Sequence, residues 1–476
     1  MMLAGFGAVL AGIGVVQAAI GAVLAGRFAN RSPSPVSRER SGEGAAGRTH
    51  YPHSTLSREA GEGDLLRPPI TILKPLHGDE PLLEQALASV CAQDYPEYQV
   101  VFGVSDAADP ALSVVARLRA RFPECDIAVV VNPARHGTNG KVGNLINMLP
   151  RAKHAVVAIA DSDLHVQPDY LARLADALAE PGTGLVTTLY TGLPSGRRLA
   201  QRLGATQITH YFLPGALLAR AMGRQDCLGA TMMLRRSTLE RIGGLQALAD
   251  HLADDQVLGR LVAALGLGVR LAVTVPATTV PETRLRDLLR HELRWARTIR
   301  ALEPAAFAAS VLQYPLFWAM LAIALAPGTA WAWGVFFMAW VARALAAIAV
   351  DRALDPLLGL TYGTPGNRPS LGPRPPGGPA AHPGETGRDP ADLRLSDAAN
   401  LADAGDAGLA FPCPVWLLPI RDLISVGVML ASYAGRGVEW RGHRMTADTP
   451  GRVAPGEIAP TETAPTETAL TETGPD

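Results

Sequence analysis

The feature that most constrains this chain is an uncharged apolar stretch at its amino terminus, residues 1–26. As one helix, a stretch of this length can cross about 30 Å of hydrocarbon. Arg27 and Arg31 follow the stretch, whereas a secretory signal carries its positive charges before the apolar run. We therefore predict an uncleaved transmembrane anchor, with the arginine-rich segment after it in the cytoplasm.

Two later apolar stretches, 308–326 and 329–350, are separated only by Pro327 and Gly328. This pattern favours a transmembrane hairpin at 308–350 over a pair of buried soluble helices. A final apolar stretch, 411–433, contains Arg421 and Asp422, and charges at bilayer depth are costly. We therefore favour an interfacial or re-entrant segment at 411–445 over a simple fourth crossing.

The overall composition limits the partners of the chain. Of the 476 residues, 48% are hydrophobic and only 18% are charged, so part of the apolar excess is expected to face a lipid bilayer. The net charge of −1 gives no electrostatic basis for binding nucleic acid. The four cysteines form no CxxC pair, which fits a reducing compartment. Three polar, low-complexity segments are predicted to be disordered: 27–68, 363–410 and 446–476.

The remaining block, 69–303, alternates short β-branched runs with amphipathic helical stretches. Such alternation predicts an α/β domain with a doubly wound, mostly parallel sheet. The predicted strands are 70–73, 100–104, 127–131, 155–159 and 185–190, with a further strand at 229–234. The predicted helices are 81–92, 110–121, 141–149 and 169–179. Ligands of such sheets bind beyond the carboxyl ends of the strands.

The predicted strand ends are acidic. Asp106 and Asp109 follow the second strand, and Asp161-Ser162-Asp163 follows the fourth. In an extended chain the two carboxylates of this Asp-x-Asp lie on the same side, where they suit Mg²⁺ or Mn²⁺. The alternative is a helix cap, a role that Asp and Ser also favour.

Two later motifs also have a functional and a plain structural interpretation. Asp254-Asp255 begins a predicted helix, whose dipole should lower the pKa of Asp255 and keep it ionised; alternatively, the pair only caps the helix. Arg294-Trp295 precedes the hairpin, where the arginine could pair with phosphate. Alternatively, the segment is a juxtamembrane basic helix with a tryptophan at the interface.

The ordered set of motifs resembles a family-2 glycosyltransferase of GT-A fold, and more narrowly the ceramide glucosyltransferase branch. The matching segments are 72–78, 94–96, 109–111, 139–145, 161–163, 253–255, 291–295 and 438–442. Within that branch the chain looks like the glycosyltransferases of hopanoid biosynthesis. This resemblance implies a UDP-sugar donor, UDP-N-acetylglucosamine, and a membrane lipid acceptor, bacteriohopanetetrol. It also implies a multi-pass protein of the bacterial inner membrane whose catalytic domain faces the cytoplasm.

The resemblance also implies roles for individual residues. Asp109, helped by Asp106, should contact the nucleotide, and Lys74 and Lys141 should contact uracil or phosphate. Asp161 and Asp163 match the site of a divalent cation, Mg²⁺ or Mn²⁺. Asp255 matches the general base, and Arg294 and Trp295 match the motif that closes over the diphosphate. His291 departs from the pattern, because the family usually has Gln or Arg at that position.

Two other functions remain open. One is a related transferase that acts on ceramide or elongates a polysaccharide, although elongation usually requires more membrane crossings. The other is a membrane scaffold that binds a nucleotide sugar without turnover.

Overall fold

The computed structural model describes residues 1–31, 67–358, 412–435, 437–440 and 443–446. Of the segments predicted to be disordered, 363–410 lies outside these ranges. The segments 27–68 and 446–476 also lie outside them, except for residues at their ends.

A seven-stranded mixed sheet forms the centre of the soluble block, in the order β3-β2-β1-β4-β8-β6-β9. The strands from β3 to β4 are parallel, and β8 runs antiparallel to both of its neighbours. The strands are β1 (Ile70–Pro75), β2 (Tyr98–Val104), β3 (Asp126–Val131), β4 (Val156–Ala160), β6 (Thr183–Thr187), β8 (Thr231–Arg235) and β9 (Gly268–Leu271). Apolar side chains on both faces bury the sheet between two helical layers.

Helices of the block 69–303 cover both faces of this sheet. They are α2 (Leu83–Cys91), α3 (Ala111–Arg121), α4 (Gly140–Met148), α5 (Tyr170–Ala179), α6 (Leu199–Gln207), α7 (Leu213–Ala221), α8 (Arg236–Arg241), α9 (Asp254–Ala264) and α10 (Leu285–Leu302). A π-helical turn, Ile208–Phe212, joins α6 to α7. The predicted α/β class is confirmed.

A second, three-stranded sheet has the order β5-β10-β7. Its strands are β5 (Leu164–His165), β7 (Thr191–Pro194) and β10 (Ala277–Val280). The sequence pattern did not predict any of these strands, since each has four residues or fewer. The predicted strand 185–190 also extends too far, because β6 ends at Thr187 and Leu189 packs instead against Leu213 and Leu217.

Three described helical segments are long and apolar enough to span a membrane. They are α1 (Met2–Ala29), α13 (Ala330–Leu354) and Val415–Ser432, which contains α14 (Leu418–Ser432). The predicted crossing at 308–326 is not one straight helix, because α11 (Pro304–Ala309) with its 3₁₀ turn and α12 (Pro315–Leu325) meet at a 67° bend. The bend follows from Pro315, which disfavours a helical backbone at Tyr314.

Helix α14 buries its charged side chains and exposes part of its apolar ones. Arg421 and Asp422 are fully buried, whereas Ile420, Leu423 and Leu430 are 45–66% exposed. Asp422 accepts hydrogen bonds from the Tyr211 hydroxyl and from the Leu316 backbone N–H. The two charges are therefore compensated by protein groups, and α14 turns an apolar face outward. The short strands β11 (Gly437–Trp440) and β12 (His443–Thr446) follow.

The packing of α4 on β2 gives a test of the fold. An alanine Cβ at Gly103 would lie 2.3 Å from the Met148 sulfur and 2.7 Å from Asn144 Oδ1. We expect Gly103→Ala to destabilise the protein by about 1–3 kcal/mol, because α4 would be forced away from the strand. Thermal unfolding in detergent measures this change.

Gly140→Ala is the matched control, because no described atom lies within 4 Å of its Cβ position. It should leave the unfolding temperature unchanged or raise it slightly. Equal stability of the Gly103→Ala and parent proteins would contradict the packing described.

Candidate active site

The strand ends open into a cleft of about 1080 Å³. Residues that follow β1, β2 and β4 form its floor, and the loop 133–139 with the start of α4 forms one side. We call the opposite side the membrane-side wall, because its helix α10 packs against the candidate membrane span Val415–Ser432. It consists of the cleft residues of α6, the π turn and α10: Gly204, Gln207, Ile208, Leu288, His291, Glu292, Arg294 and Trp295.

Asp161, Ser162 and Asp163 form a turn after β4, rather than the extended chain expected. The next element is strand β5, so the helix-cap alternative for this motif is wrong. Asp161 Oδ1 lies 2.7 Å from Lys141 Nζ, and Asp163 Oδ2 accepts a 2.6 Å hydrogen bond from the Thr278 hydroxyl. Burial, together with the charge of Asp161, raises the pKa of Asp163 to about 6.

Lys141 joins three separate segments at the cleft. It lies in the first turn of α4, where Asn139 caps the helix and also donates a hydrogen bond to the His251 carbonyl. Its amine lies 2.7 Å from Asp161 and 3.7 Å from Asp254. Burial opposes the charged amine, but these carboxylates outweigh burial and raise the pKa of Lys141. The amine is therefore protonated and holds α4, the turn after β4 and α9 together.

Asp255 lines the cleft in the first turn of α9. Ala253 is the N-cap residue and provides no side-chain hydrogen bond, while Asp255 Oδ1 accepts a bond from the Gln256 N–H at 2.8 Å. Burial and the neighbouring charge of Asp254 raise the pKa of Asp255 to about 7. The expectation that the helix end lowers this pKa is wrong, because burial outweighs the helix dipole.

The other predicted nucleotide contacts divide into two groups. Asp106 lines the cleft, whereas Lys74 and Asp109 are not among the described residues that line it. Asp109 accepts hydrogen bonds from the backbone N–H groups of Gly78 and Ala111. Lys74 is fully buried and donates to the Asp161 carbonyl at 2.6 Å, and burial lowers its pKa to about 8. Both residues thus support loops that shape the cleft.

The predicted residues of α10 lie in the cleft, a position that the alternative of a juxtamembrane basic helix did not predict. His291, Arg294 and Trp295 all line it. The His291 imidazole contacts the Glu282 carboxylate and packs edge-on against Trp295, with ring centroids 4.6 Å apart. Trp295 also packs with Ile208 and other apolar residues, so the membrane-side wall combines an apolar patch around Trp295 with four polar or charged side chains.

Several cleft residues were not predicted from the sequence. The Ser162 hydroxyl donates a 2.6 Å hydrogen bond to Glu80, which follows β1 in the way that Asp106 follows β2. The strand-end rule therefore could have identified Glu80. Tyr190, Thr278 and Glu282 also line the cleft, but they lie in or beside short elements without a local sequence signal. Glu292 lines it too and lies within the matching segment 291–295, where the motif pointed to its neighbours rather than to it.

The donor set at the turn after β4 suits a hard divalent cation only in part. Among the described residues, no three His, Cys, Asp or Glu side chains are arranged to hold an ion by themselves. Asp161 and Asp163 nevertheless contribute carboxylate oxygens, and Mg²⁺ is often bound by one or two carboxylates with substrate phosphates and water. The residues therefore fit a cation that is completed by a diphosphate.

Comparison with known proteins gives relatives that match about half of this chain. Ceramide glucosyltransferase 1 of Caenorhabditis elegans is 22% identical over 256 residues, which cover 53% of this chain and 54% of that protein. An N-acetylglucosaminyltransferase of Bradyrhizobium diazoefficiens is 25% identical over 256 residues, 50% of each chain. The chain thus spans about half the length of these curated relatives.

Among solved structures, the mannosyltransferase PcManGT from Pyrobaculum calidifontis in complex with GDP-Man and Mn²⁺ aligns with a TM-score of 0.40. It is 20% identical, and the alignment covers 88% of this chain and 99% of that one. The family model for Glycosyl transferase family 21 matches residues 45–358. The family match confirms the predicted membership of a glycosyltransferase family: the chain belongs to glycosyl transferase family 21.

Proposed function

We propose that this protein is an inverting glycosyltransferase that moves a sugar from a UDP-sugar to a hydroxyl group of a membrane lipid. One observation carries the proposal: a single cleft brings the carboxylates of Asp161, Asp163 and Asp255 together with the apolar patch around Trp295 on α10. The carboxylates of Asp161 and Asp163 suit a divalent cation that holds a nucleotide diphosphate. The carboxylate of Asp255 can serve as the proton acceptor. The wall is continuous with the apolar helices and suits a lipid acceptor.

In this proposal Asp255 takes the proton of the acceptor hydroxyl as that oxygen attacks the anomeric carbon. Asp106 and Lys141 bind the nucleotide part of the donor, and Arg294 and Trp295 cover the diphosphate and the acceptor. When bound at Asp161 and Asp163, Mg²⁺ or Mn²⁺ supplies positive charge that stabilises the diphosphate leaving group. Lys74 and Asp109 position the loops beneath these groups.

The donor and acceptor are proposed more narrowly as UDP-N-acetylglucosamine and the hopanoid bacteriohopanetetrol, with the catalytic domain on the cytoplasmic side of a bacterial inner membrane. The motif resemblance supports this choice, and the Bradyrhizobium relative supports the sugar. The similarity to a ceramide glucosyltransferase favours ceramide as the second candidate acceptor.

The purified protein in detergent tests both choices. UDP release and lipid mass spectrometry are measured for UDP-N-acetylglucosamine and UDP-glucose, each with bacteriohopanetetrol or ceramide. We expect a glycosylated hopanoid only with the first donor. If the protein binds the donor but releases UDP with neither acceptor, the result would instead indicate the non-catalytic scaffold.

Removal of divalent cations should abolish sugar transfer, because Asp161 and Asp163 would lose the ion that holds the diphosphate. EDTA is expected to stop the reaction, and added Mg²⁺ or Mn²⁺ should restore it. Asp161→Asn should lose transfer while it remains folded in detergent. Asp126→Asn is the control, because that carboxylate pairs with Lys153 at the surface. Full transfer in excess chelator would contradict the cation site.

Substitution of the proposed base should separate binding from chemistry. Asp255→Asn is expected to bind the UDP-sugar normally but to lower turnover by about two to four orders of magnitude. Asp254→Asn should have a milder effect, because that residue influences the base only through its charge and Lys141. Calorimetric donor binding and transfer rates are compared. Near-normal turnover of Asp255→Asn would move the base to Asp254 or His291.

The pH dependence follows from the raised pKa of Asp255. A base with a pKa of about 7 becomes protonated below neutrality, so kcat/KM should fall as the pH drops below 7. Because the charge of Asp254 contributes to this shift, Asp254→Asn should move the acidic limb to lower pH. An acidic limb that stays in place in Asp254→Asn would show that another group limits the rate.

A further inference from the structure

A buried ion pair connects helix α14 to the membrane-side wall. Both Arg421 Nη atoms donate to the Glu292 carboxylate, at 2.8 Å and 2.7 Å. Arg421 is 0% exposed and Glu292 is 8% exposed. The forked geometry fixes the orientation of the two groups as well as their separation.

Glu292 itself lines the cleft, between His291 and the turn that carries Trp295. Arg421 also donates to the Ser425 hydroxyl at 3.2 Å, and that hydroxyl in turn donates to Gln207 Oε1 at 3.2 Å. Gln207 lines the cleft at the end of α6. Helix α14 therefore reaches both helices of the membrane-side wall from behind, through polar groups.

The rest of α14 and the residues next to its ends pack alongside α10. Leu288 packs near Leu417 at one end, and Ala296 packs near Met429 further along. Beyond them, the Arg300 guanidinium lies 5.0 Å from the Tyr433 ring centroid. The ion pair is thus one point of a continuous helix-to-helix contact, and together with Leu288 it brings that contact to the cleft.

Stability alone does not account for this pair. Apolar residues of similar volume often hold two helices as firmly as a buried ion pair, because both charges must be removed from water. The pair differs from an apolar contact because its two hydrogen bonds are directional. They fix the position of the Glu292 side chain in the wall.

We infer that Arg421 is a positioning residue for the acceptor: through Glu292, helix α14 fixes the membrane-side wall against which the lipid binds. This inference rests on the proposed function. It assigns the carboxy-terminal helix a part in acceptor recognition, whereas Asp106, Lys141 and Asp255 lie on elements other than α10.

The test compares Arg421→Met with the double variant Glu292→Leu/Arg421→Met. We expect the single variant to raise the acceptor KM about tenfold or more, since small displacements of binding groups weaken productive binding strongly. UDP-sugar affinity should fall much less, because Asp106, Lys141 and the proposed cation ligands lie on elements other than α10. The double variant removes both charges and should regain the parent unfolding temperature while keeping the raised acceptor KM. If the double variant regains both properties, the pair is only structural and the inference is overturned.

Asp422→Asn is the matched control. Asp422 is the buried neighbour of Arg421 on the same helix, but its partners Tyr211 and Leu316 are not among the described residues that line the cleft. This variant should lower the unfolding temperature and leave the acceptor KM unchanged. An equal rise of KM in Asp422→Asn would overturn the specific role of Arg421.

Amide hydrogen exchange of 285–302 provides a readout that does not depend on activity. The double variant should exchange faster than the parent in this segment, with unchanged exchange in α4. If the parent transfers sugar to none of the lipids, the proposed function fails, and the exchange result alone then decides whether α14 fixes the wall. Identical exchange in the parent and the double variant would overturn the inference.

Discussion

The ion pair between Lys141 and Asp161 is the interaction on which the arrangement of the cleft depends. Asp161, Asp163, Asp254 and Asp255 approach one another from two segments far apart in sequence, and mutual repulsion opposes their meeting. The Lys141 amine lies between the two segments and offsets part of this repulsion. The remaining repulsion, together with burial, raises the pKa of Asp163 and of Asp255. The close approach of the carboxylates thus favours a bound cation and also sets the pKa of the proposed base.

The first half of the sheet could be predicted because its strands are mainly apolar, and three of the four, β1, β2 and β4, are buried on both faces. The strands β1 to β4 are apolar along most of their length, which distinguishes them from the amphipathic helices between them. The strands β5, β7 and β10 have two to four residues and therefore show no readable period. The direction of β8 was also hidden, since an apolar run reads the same in a parallel or an antiparallel strand.

For the site, the rule of strand ends located the floor of the cleft but not the depth of each side chain. Asp106 and Asp161 line the cleft, whereas Lys74 and Asp109 point into the loops beneath it. The sequence does not distinguish these cases, because it does not show which loop carbonyls or N–H groups need a partner. The pKa of Asp255 was missed for a similar reason: the helix dipole is a local property, whereas burial and the charge of Asp254 depend on the tertiary fold.

Arg421 and Asp422 show how a charge within an apolar helix is explained by the faces of that helix. The sequence predicted that these charges keep 411–433 from simply crossing the bilayer, since isolated charges are costly there. In the structure both charges face protein partners, while Ile420, Leu423 and Leu430 form an exposed apolar stripe. The cost of the charges is thus met within the protein, and the outer surface of α14 remains compatible with lipid. A lipid acceptor must present a hydroxyl to Asp255 while its apolar part stays among apolar groups. A helix with an apolar outer face and a polar contact to the wall of the cleft fits both requirements, which is why α14 is proposed to position the wall of the acceptor site.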